Sequence, residues 1–161
     1  MENKLTFTKV VGDYSLEIVR GVINTYGGLI SDKSFYQMKE ATYFILVDKE
    51  TDIPVGITGY RELNSWCVEQ LNTVILPESR GKGYGNEASC RLSRWLLGKR
   101  GYGKVFCTIN VKNYKMIKIK VQNGFTIEGV LKNHFSSERS IFILSKFGCE
   151  NNERLRRINN D

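Results

Sequence analysis

Two hydrophobic periods succeed one another along this chain, and their switches predict its elements. Leu5 and Phe7 alternate with Thr6 and Thr8, which predicts a first strand over 5–10. Leu16, Val19, Val22, Ile23 and Tyr26 then recur at helical spacing behind Asp13 or Ser15 as N-cap, and Gly27-Gly28 closes that helix. Ser31-Asp32 is placed to cap a shorter helix through about Lys39, with Phe35 and Met38 inward. The run 42–47 is β-branched and aromatic, 54–61 is a second such run, and Asp48–Asp52 between them predicts an antiparallel hairpin. A long strand over 66–76 follows.

Ala88, Leu92, Trp95 and Leu96 form a helical stripe at i, i+4, i+7 and i+8. It stops between Gly98 and Gly103, where Lys99 and Arg100 suit a C-terminal turn. The strand 104–110 comes after a helix, so it should lie parallel to 66–76 through a right-handed crossover. A helix over 114–122 stops at Asn123-Gly124, and strands over 125–130 and 140–144 close the series. The predicted fold is a mixed α/β (α+β) single domain over residues 1–148. It has about six or seven mostly antiparallel strands, one central parallel pair and about four helices. Residues 149–161 are polar and lack apolar partners, which predicts a frayed or disordered tail.

One stretch in this order carries chemistry. The strand ending at Leu76-Pro77 runs through Glu78, Ser79 and Arg80 into Gly81-Lys82-Gly83-Tyr84-Gly85 and then into the helix. Glycines let a backbone turn tightly and bring N–H groups close to an anion, and a helix N-terminus adds partial positive charge. Arg80 and Lys82 add full charges. A plain strand-to-helix turn is the competing reading. No Gly-x-x-x-x-Gly-Lys-Ser/Thr string exists, and glycines at 81, 83 and 85 do not make Gly-x-Gly-x-x-Gly, so neither nucleotide-binding loop is supported.

Arg80-Gly-Lys-Gly83-Tyr-Gly85 resembles the Arg/Gln-x-x-Gly-x-Gly/Ala loop of the GNAT superfamily of acyl-coenzyme A-dependent N-acetyltransferases. Asn113, eleven residues before Gly124-Phe125, and then Glu128-Gly129 resemble the tail of its ribosomal-protein-alanine acetyltransferase branch. The likeness is close over roughly 67–135, whereas the first 60 residues match in element order alone. It implies acetyl-coenzyme A as co-substrate and direct attack by an amine in a ternary complex. Residues 80–85 would hold the pyrophosphate, the 13–39 helical pair would form part of the acceptor groove, and the parallel strands would splay apart. Thr73, Val74 and Ile75 would meet the pantetheine arm and the thioester carbonyl, and an N–H donor there is worth roughly 3 kcal/mol in comparable acyl-transfer sites.

For the remaining chemistry the alternatives stay open. Glu69, six residues before Ile75, matches the base position of the histone-acetylating members, or it is a solvent-facing strand carboxylate. The leaving-group tyrosine of many members would stand four residues before Gly124-Phe125, and Lys120 stands there instead. Tyr114 or Tyr84 could substitute, or the thiolate could leave unprotonated. Asn113 contacts the coenzyme or caps its helix. Met116, grouped with the coenzyme contacts, replaces a small residue usual three after that asparagine.

Composition narrows the setting. The chain has 161 residues, 41% hydrophobic and 25% charged, which suits one globular domain with a sizeable core. No apolar signal core opens it, and the longest apolar run, 43–47, cannot span a bilayer, so a cytoplasmic protein with no membrane partner is expected. A net charge of +7 attracts polyanions; coenzyme A phosphates account for several of those charges, and nucleic acid is admitted without being required. Cys67, Cys90, Cys107 and Cys149 lie far apart with His134 the only histidine, which suggests neither zinc nor disulfides, and the first three read as reduced core thiols. Phe35, Tyr60 and Trp66 read as core packing before acceptor lining, and His134 as structural.

The acceptor follows from proton affinity. A peptide α-amine has a reference pKa near 7.7–8.0 and lysine near 10.4, so deprotonating lysine at neutral pH costs on the order of 3.5 kcal/mol more. An N-terminal α-amine is the expected acceptor. Small amines such as polyamines or antibiotics, or a catalytically weak acyl-coenzyme A-binding module, are the alternatives, in a monomer or homodimer.

Overall fold

The computed structural model describes residues 3–27, 38–134 and 138–148. Seven strands form one sheet in the order β1-β2-β3-β4-β5-β7-β6, taking β1 as Leu5–Lys9, β2 as Ala41–Asp48, β3 as Pro54–Glu62, β4 as Cys67–Ile75, β5 as Lys104–Asn110, β6 as Thr126–Leu131 and β7 as Ile141–Phe147. The helices among the described residues are α1 (Asp13–Val22), continued by a π-helical turn over Ile23–Gly27, α2 (Tyr84–Gly98) and α3 (Tyr114–Gln122). The expected mixed α/β order is present, with β4 and β5 parallel and β1–β2, β2–β3, β5–β7 and β6–β7 antiparallel. The chain divides into two compact units: Met1–Glu62 with Gln70–Cys90, and Leu63–Glu69 with Arg91–Asp161.

The first unit buries β2 on both faces. Tyr43 joins Leu16, Val19, Ile23, Met38, Ile57 and Val74, whereas Leu46, an odd number of residues away, joins Leu5, Val55, Tyr84 and Ala88. Each fully buried aliphatic or aromatic side chain contributes about 1.5–3 kcal/mol, so these two clusters hold α1 and the start of α2 against the strands. The helix cap differs from expectation. Gly12, at φ 85, is the N-cap and offers no side-chain bond, while Asp13 is the first helical residue, where its charge favours the positive end of the helix. The π turn rotates the stripe, so Tyr26 is 45% exposed instead of inward. The short helix expected over 31–39 and the inward Phe35 lie outside the described residues except for buried Met38.

In the second unit Val105, Cys107 and Ile109 alternate into the core, and β5 pairs with β7 from Lys104↔Phe147 to Asn110↔Ile141. That register carries β7 three residues past the expected end at Leu144, because pairing with β5 continues through Ser145 and Lys146. Trp66, expected in a strand and in the core, precedes β4 and is 45% exposed. Its carbonyl accepts from the N–H groups of Gly103 (2.9 Å) and Lys104 (3.1 Å), and a Cβ on Gly103 would fall 2.5 Å from its ring carbons. Cys107 is buried, whereas Cys67 and Cys90 are partly exposed and so are not the core thiols expected; none of the three is in a disulfide. Among the described residues no helix is long and apolar enough to cross a membrane, and no group of three His, Cys, Asp or Glu side chains could hold a metal ion.

Candidate functional site

β4 is where strand geometry departs from regular alternation. Asn72 has φ 29, a left-handed conformation that asparagine tolerates better than most residues. Leu71 and Val74 both pack against the α1-side cluster although three residues separate them, as expected when one extra residue bulges a strand. The Asn72 Nδ2 donates to the Tyr43 hydroxyl at 3.3 Å. The segment it displaces is Thr73, Val74 and Ile75. Thr73 exchanges a 2.8 Å hydroxyl hydrogen bond with Thr58, and a Cβ on Gly56 would lie 2.3 Å from the Val74 carbonyl oxygen, so β3 passes this segment where only glycine fits. Pattern reading missed the bulge, for which an asparagine amid strand-forming residues was the available signal.

From Ile75 the chain enters the loop. Leu76 N donates to Val55 O (2.9 Å), a single 3-10 turn occupies Pro77–Ser79, and the Arg80 Nε donates to Ile75 O (3.0 Å). Gly81 and Gly83 have φ 84 and 90, and a Cβ on either would meet no atom within 4 Å. Backbone conformation, not crowding, requires glycine there. Gly85 has no positive φ, and a Cβ on it would touch Ile75 at 3.5 Å. Arg80, Gly81, Lys82 and Gly83 are all exposed just ahead of the start of α2, where the aligned peptide dipoles of a helix leave partial positive charge. Exposed backbone, two cationic side chains and a helix N-terminus fit a polyphosphate group.

Tyr84 does not face outward with its neighbours. It is 5% exposed, and its hydroxyl donates to the Asp48 carboxylate at the end of β2. That hydrogen bond holds the Asp48 carboxyl below its usual range and, as the largest cause, pushes the phenol up to about 12. The hydroxyl is therefore a fixed donor turned into its own unit, not a proton source for a leaving group. The sequence pattern places Asp48 only in a turn.

In the second unit the β4–β5 ladder comprises Cys67↔Lys104, Val68↔Val105 and Glu69↔Phe106. Glu69 is 8% exposed, which removes the solvent-facing reading; burial pushes the Cys67 and Cys107 thiols up, and the Glu69 charge adds to that. Asn113 caps α3, its Oδ1 accepting from Met116 N at 3.2 Å, and Met116 is partly buried. Tyr114, the first residue of α3, is 76% exposed. Lys120 is buried, with Nζ 4.5 Å from the Phe125 ring centroid and hydrogen-bonded to the Cys107 thiol; burial pushes its pKa down to about 8. The tyrosine expected at this position is thus replaced by an amine enclosed within the unit. His134 is an exposed turn residue whose N–H donates to Arg139 O (3.1 Å), and Tyr60 is buried as expected. A cleft of about 160 Å³ lies beside the start of α1, lined by Val10, Asp13, Leu16, Lys39 and Tyr43 among others. The first unit therefore brings together residues 73–85, and the second carries Glu69, Asn113, Tyr114 and Met116.

Comparison with known proteins is consistent with this geometry. The chain matches the family model described as an acetyltransferase (GNAT) domain over residues 6–126. No curated protein sequence matches it significantly. Among solved structures it is similar to mutant forms of the spermidine/spermine N-acetyltransferase SpeG from Vibrio cholerae, with TM-score 0.77 and 17% identity over 95% of this chain and 99% of that one. It is similar also to a dodecameric structure of the spermidine N-acetyltransferase from Vibrio cholerae (TM-score 0.76, 18% identity, 95% and 99% covered). A third, the Vibrio cholerae spermidine N-acetyltransferase in complex with CoA and spermine, has TM-score 0.73 and 17% identity over 91% and 96% of the two chains. These neighbours are polyamine acetyltransferases and not the ribosomal-protein-alanine branch that the 113–129 pattern resembles. With the glycine loop in place and the family model spanning most of its length, this chain belongs to the GNAT acetyltransferase family and is an N-acetyltransferase that uses acetyl-coenzyme A as co-substrate.

Proposed function

We propose that this protein acetylates a small primary amine of the polyamine class by direct attack in a ternary complex, within one catalytic domain over residues 1–148 followed by a polar tail. The observation that carries this reading is the likeness, over nearly the full length of both chains, to spermidine and spermine acetyltransferases. Acetyl-coenzyme A supplies the acetyl group as a thioester already activated for attack. The backbone of Gly81, Gly83 and Gly85, the Arg80 and Lys82 charges and the first turn of α2 hold its phosphates. The β4 backbone at Thr73, Val74 and Ile75, offset by the Asn72 bulge, donates toward the carbonyl oxygen where negative charge develops.

Glu69 accepts a proton from the acceptor ammonium, directly or through one water, which frees the nitrogen lone pair for attack. Exposed Tyr114 is the remaining tyrosine candidate for protonating the leaving sulfur. The thiolate, with a reference pKa near 8.5, can also depart as the anion. Asn113 is assigned to helix capping and leaves the cradle to residues 80–85.

A second reading, an N-terminal α-amine acceptor, is favoured by Asn113, Gly124-Phe125 and Glu128-Gly129. Binding measurements address the shared requirement first. Acetyl-coenzyme A at one hundred times its dissociation constant should add about 2.7 kcal/mol to stability. Duplex DNA or RNA should add less; a melting point raised by nucleic acid and not by acetyl-coenzyme A would overturn the reading. In steady-state assays Glu69→Gln should lower kcat by at least a hundredfold, about the size of a general-base contribution, with little change in acetyl-coenzyme A affinity. Wild-type kcat in that variant would remove the base assignment.

A further inference from the structure

The first turn of α2 is tied to the opening strands of its own unit by two carboxylates. Glu87, from within the turn, accepts from the backbone N–H groups of Lys4 (3.2 Å) and Leu5 (3.0 Å). Asp48 reaches the same turn from the other direction. One of its carboxylate oxygens accepts from the Tyr84 hydroxyl and the other from Glu50 N at 2.8 Å. Asp48 is itself fixed by its backbone, its N–H donating to Ile53 O and its carbonyl accepting from Asp52 N, both at 2.9 Å. A rigid hairpin end therefore holds a buried phenol.

That phenol lies between two loop glycines. Gly81 and Gly83 occupy left-handed backbone with open space around them, Lys82 is exposed, and Gly85 contributes no side chain. Tyr84 is thus the side chain within 81–85 that packs into a core, against Leu5, Leu46, Val55 and Ala88. Glycines lose more conformational freedom on ordering than other residues, so a loop this rich in them is a poor anion cradle unless something fixes it beforehand. A tyrosine among glycines would pack through its ring alone; the hydroxyl bond to Asp48 adds a fixed direction and depth. The charge of Lys82, the cation at the front of the loop, also helps to hold the Asp48 carboxyl down, after the Tyr84 hydrogen bond.

We propose that Asp48 and Tyr84 form a positioning pair that presets the 81–85 loop for a pyrophosphate, so that they govern affinity for coenzyme A through its phosphate portion. The inference rests on the reading that this loop holds the coenzyme A phosphates.

The test uses the full chain and calorimetric dissociation constants for coenzyme A and for pantetheine, which lacks the pyrophosphate and nucleotide. Asp48→Asn and Tyr84→Phe should each weaken coenzyme A binding about tenfold, the scale of one hydrogen bond to a charged group. Pantetheine affinity should not move, and the double variant should lose no more than the worse single one. Both substitutions keep side-chain shape, and circular dichroism with a melting curve establishes that each variant is folded at the assay temperature. Equal losses for both ligands, or a lowered melting point with unchanged coenzyme A affinity, would overturn the proposal and leave the pair a purely structural one. Gly83→Val separates the two levels of inference. If it leaves coenzyme A affinity unchanged, the loop reading falls and the pair's role with it. If it abolishes binding while Asp48→Asn and Tyr84→Phe do not weaken it, only the positioning pair falls.

Discussion

Burial of Lys120 has an energetic consequence that depends on pH. The Lys120 amine lies against the Cys107 thiol and the Phe125 ring, and the loss of hydration on burial, with the Lys146 charge adding to it, outweighs what the thiol returns. The folded pKa of about 8 lies below the unfolded value of 10.5. Below about pH 8 both states hold the proton and folding bears the full cost of burying it, on the order of 3 kcal/mol. Between 8 and 10.5 the folded state releases the proton while the unfolded state keeps it, so stability from this group rises with pH, and the cost is gone above 10.5. Lys120→Met should therefore raise the melting temperature at pH 7, and the gain should shrink as pH rises from 8 to 10.5. A melting-temperature gain that does not vary over that range would contradict this account. The sequence marked Lys120 as a departure from the tyrosine expected there. Its burial was not legible, because it depends on Cys107 and Phe125, which reach it only through the tertiary fold.

At the scale of elements, local signals located what depends on local chemistry. The strand over 104–110 and the helix over 114–122 stand where periodicity put them, and Asn113 caps that helix through its own side chain. Asn113→Ala should cost about 1 kcal/mol of stability in urea unfolding, the usual loss for a cap, with coenzyme A affinity unchanged. Weakened coenzyme A binding would return Asn113 to the cradle. What was illegible is set by partners distant in sequence. β7 runs through Ser145, Lys146 and Phe147 because β5 continues opposite it, and the Asn72 bulge shows itself only when Leu71 and Val74 are seen in one cluster. The glycine loop was legible as a turn with charges, since glycine identity reports positive φ directly; its anchorage was not, since Asp48 lies 36 residues before Tyr84.

For the whole molecule, one sheet order and one glycine loop carry the family assignment, while the acceptor depends on features that family membership leaves open. A net charge of +7 does not attract a polycation over long range, so specificity for a polyamine has to come from local carboxylates and not from steering. Deprotonation points the other way from the structural likeness: an α-amine is the easier nucleophile near neutral pH, whereas the neighbours over nearly the whole chain act on spermidine and spermine. The two readings separate in one assay. Free-thiol release from acetyl-coenzyme A is followed with spermidine and spermine, with lysine-containing peptides and with peptides bearing free N-termini, each at matched concentration. The account predicts acceptor-dependent thiol release that is fastest with spermidine or spermine and at least tenfold slower with every peptide. Release that is fastest with N-terminal peptides would contradict the polyamine assignment, and release that no amine accelerates would contradict the enzyme itself.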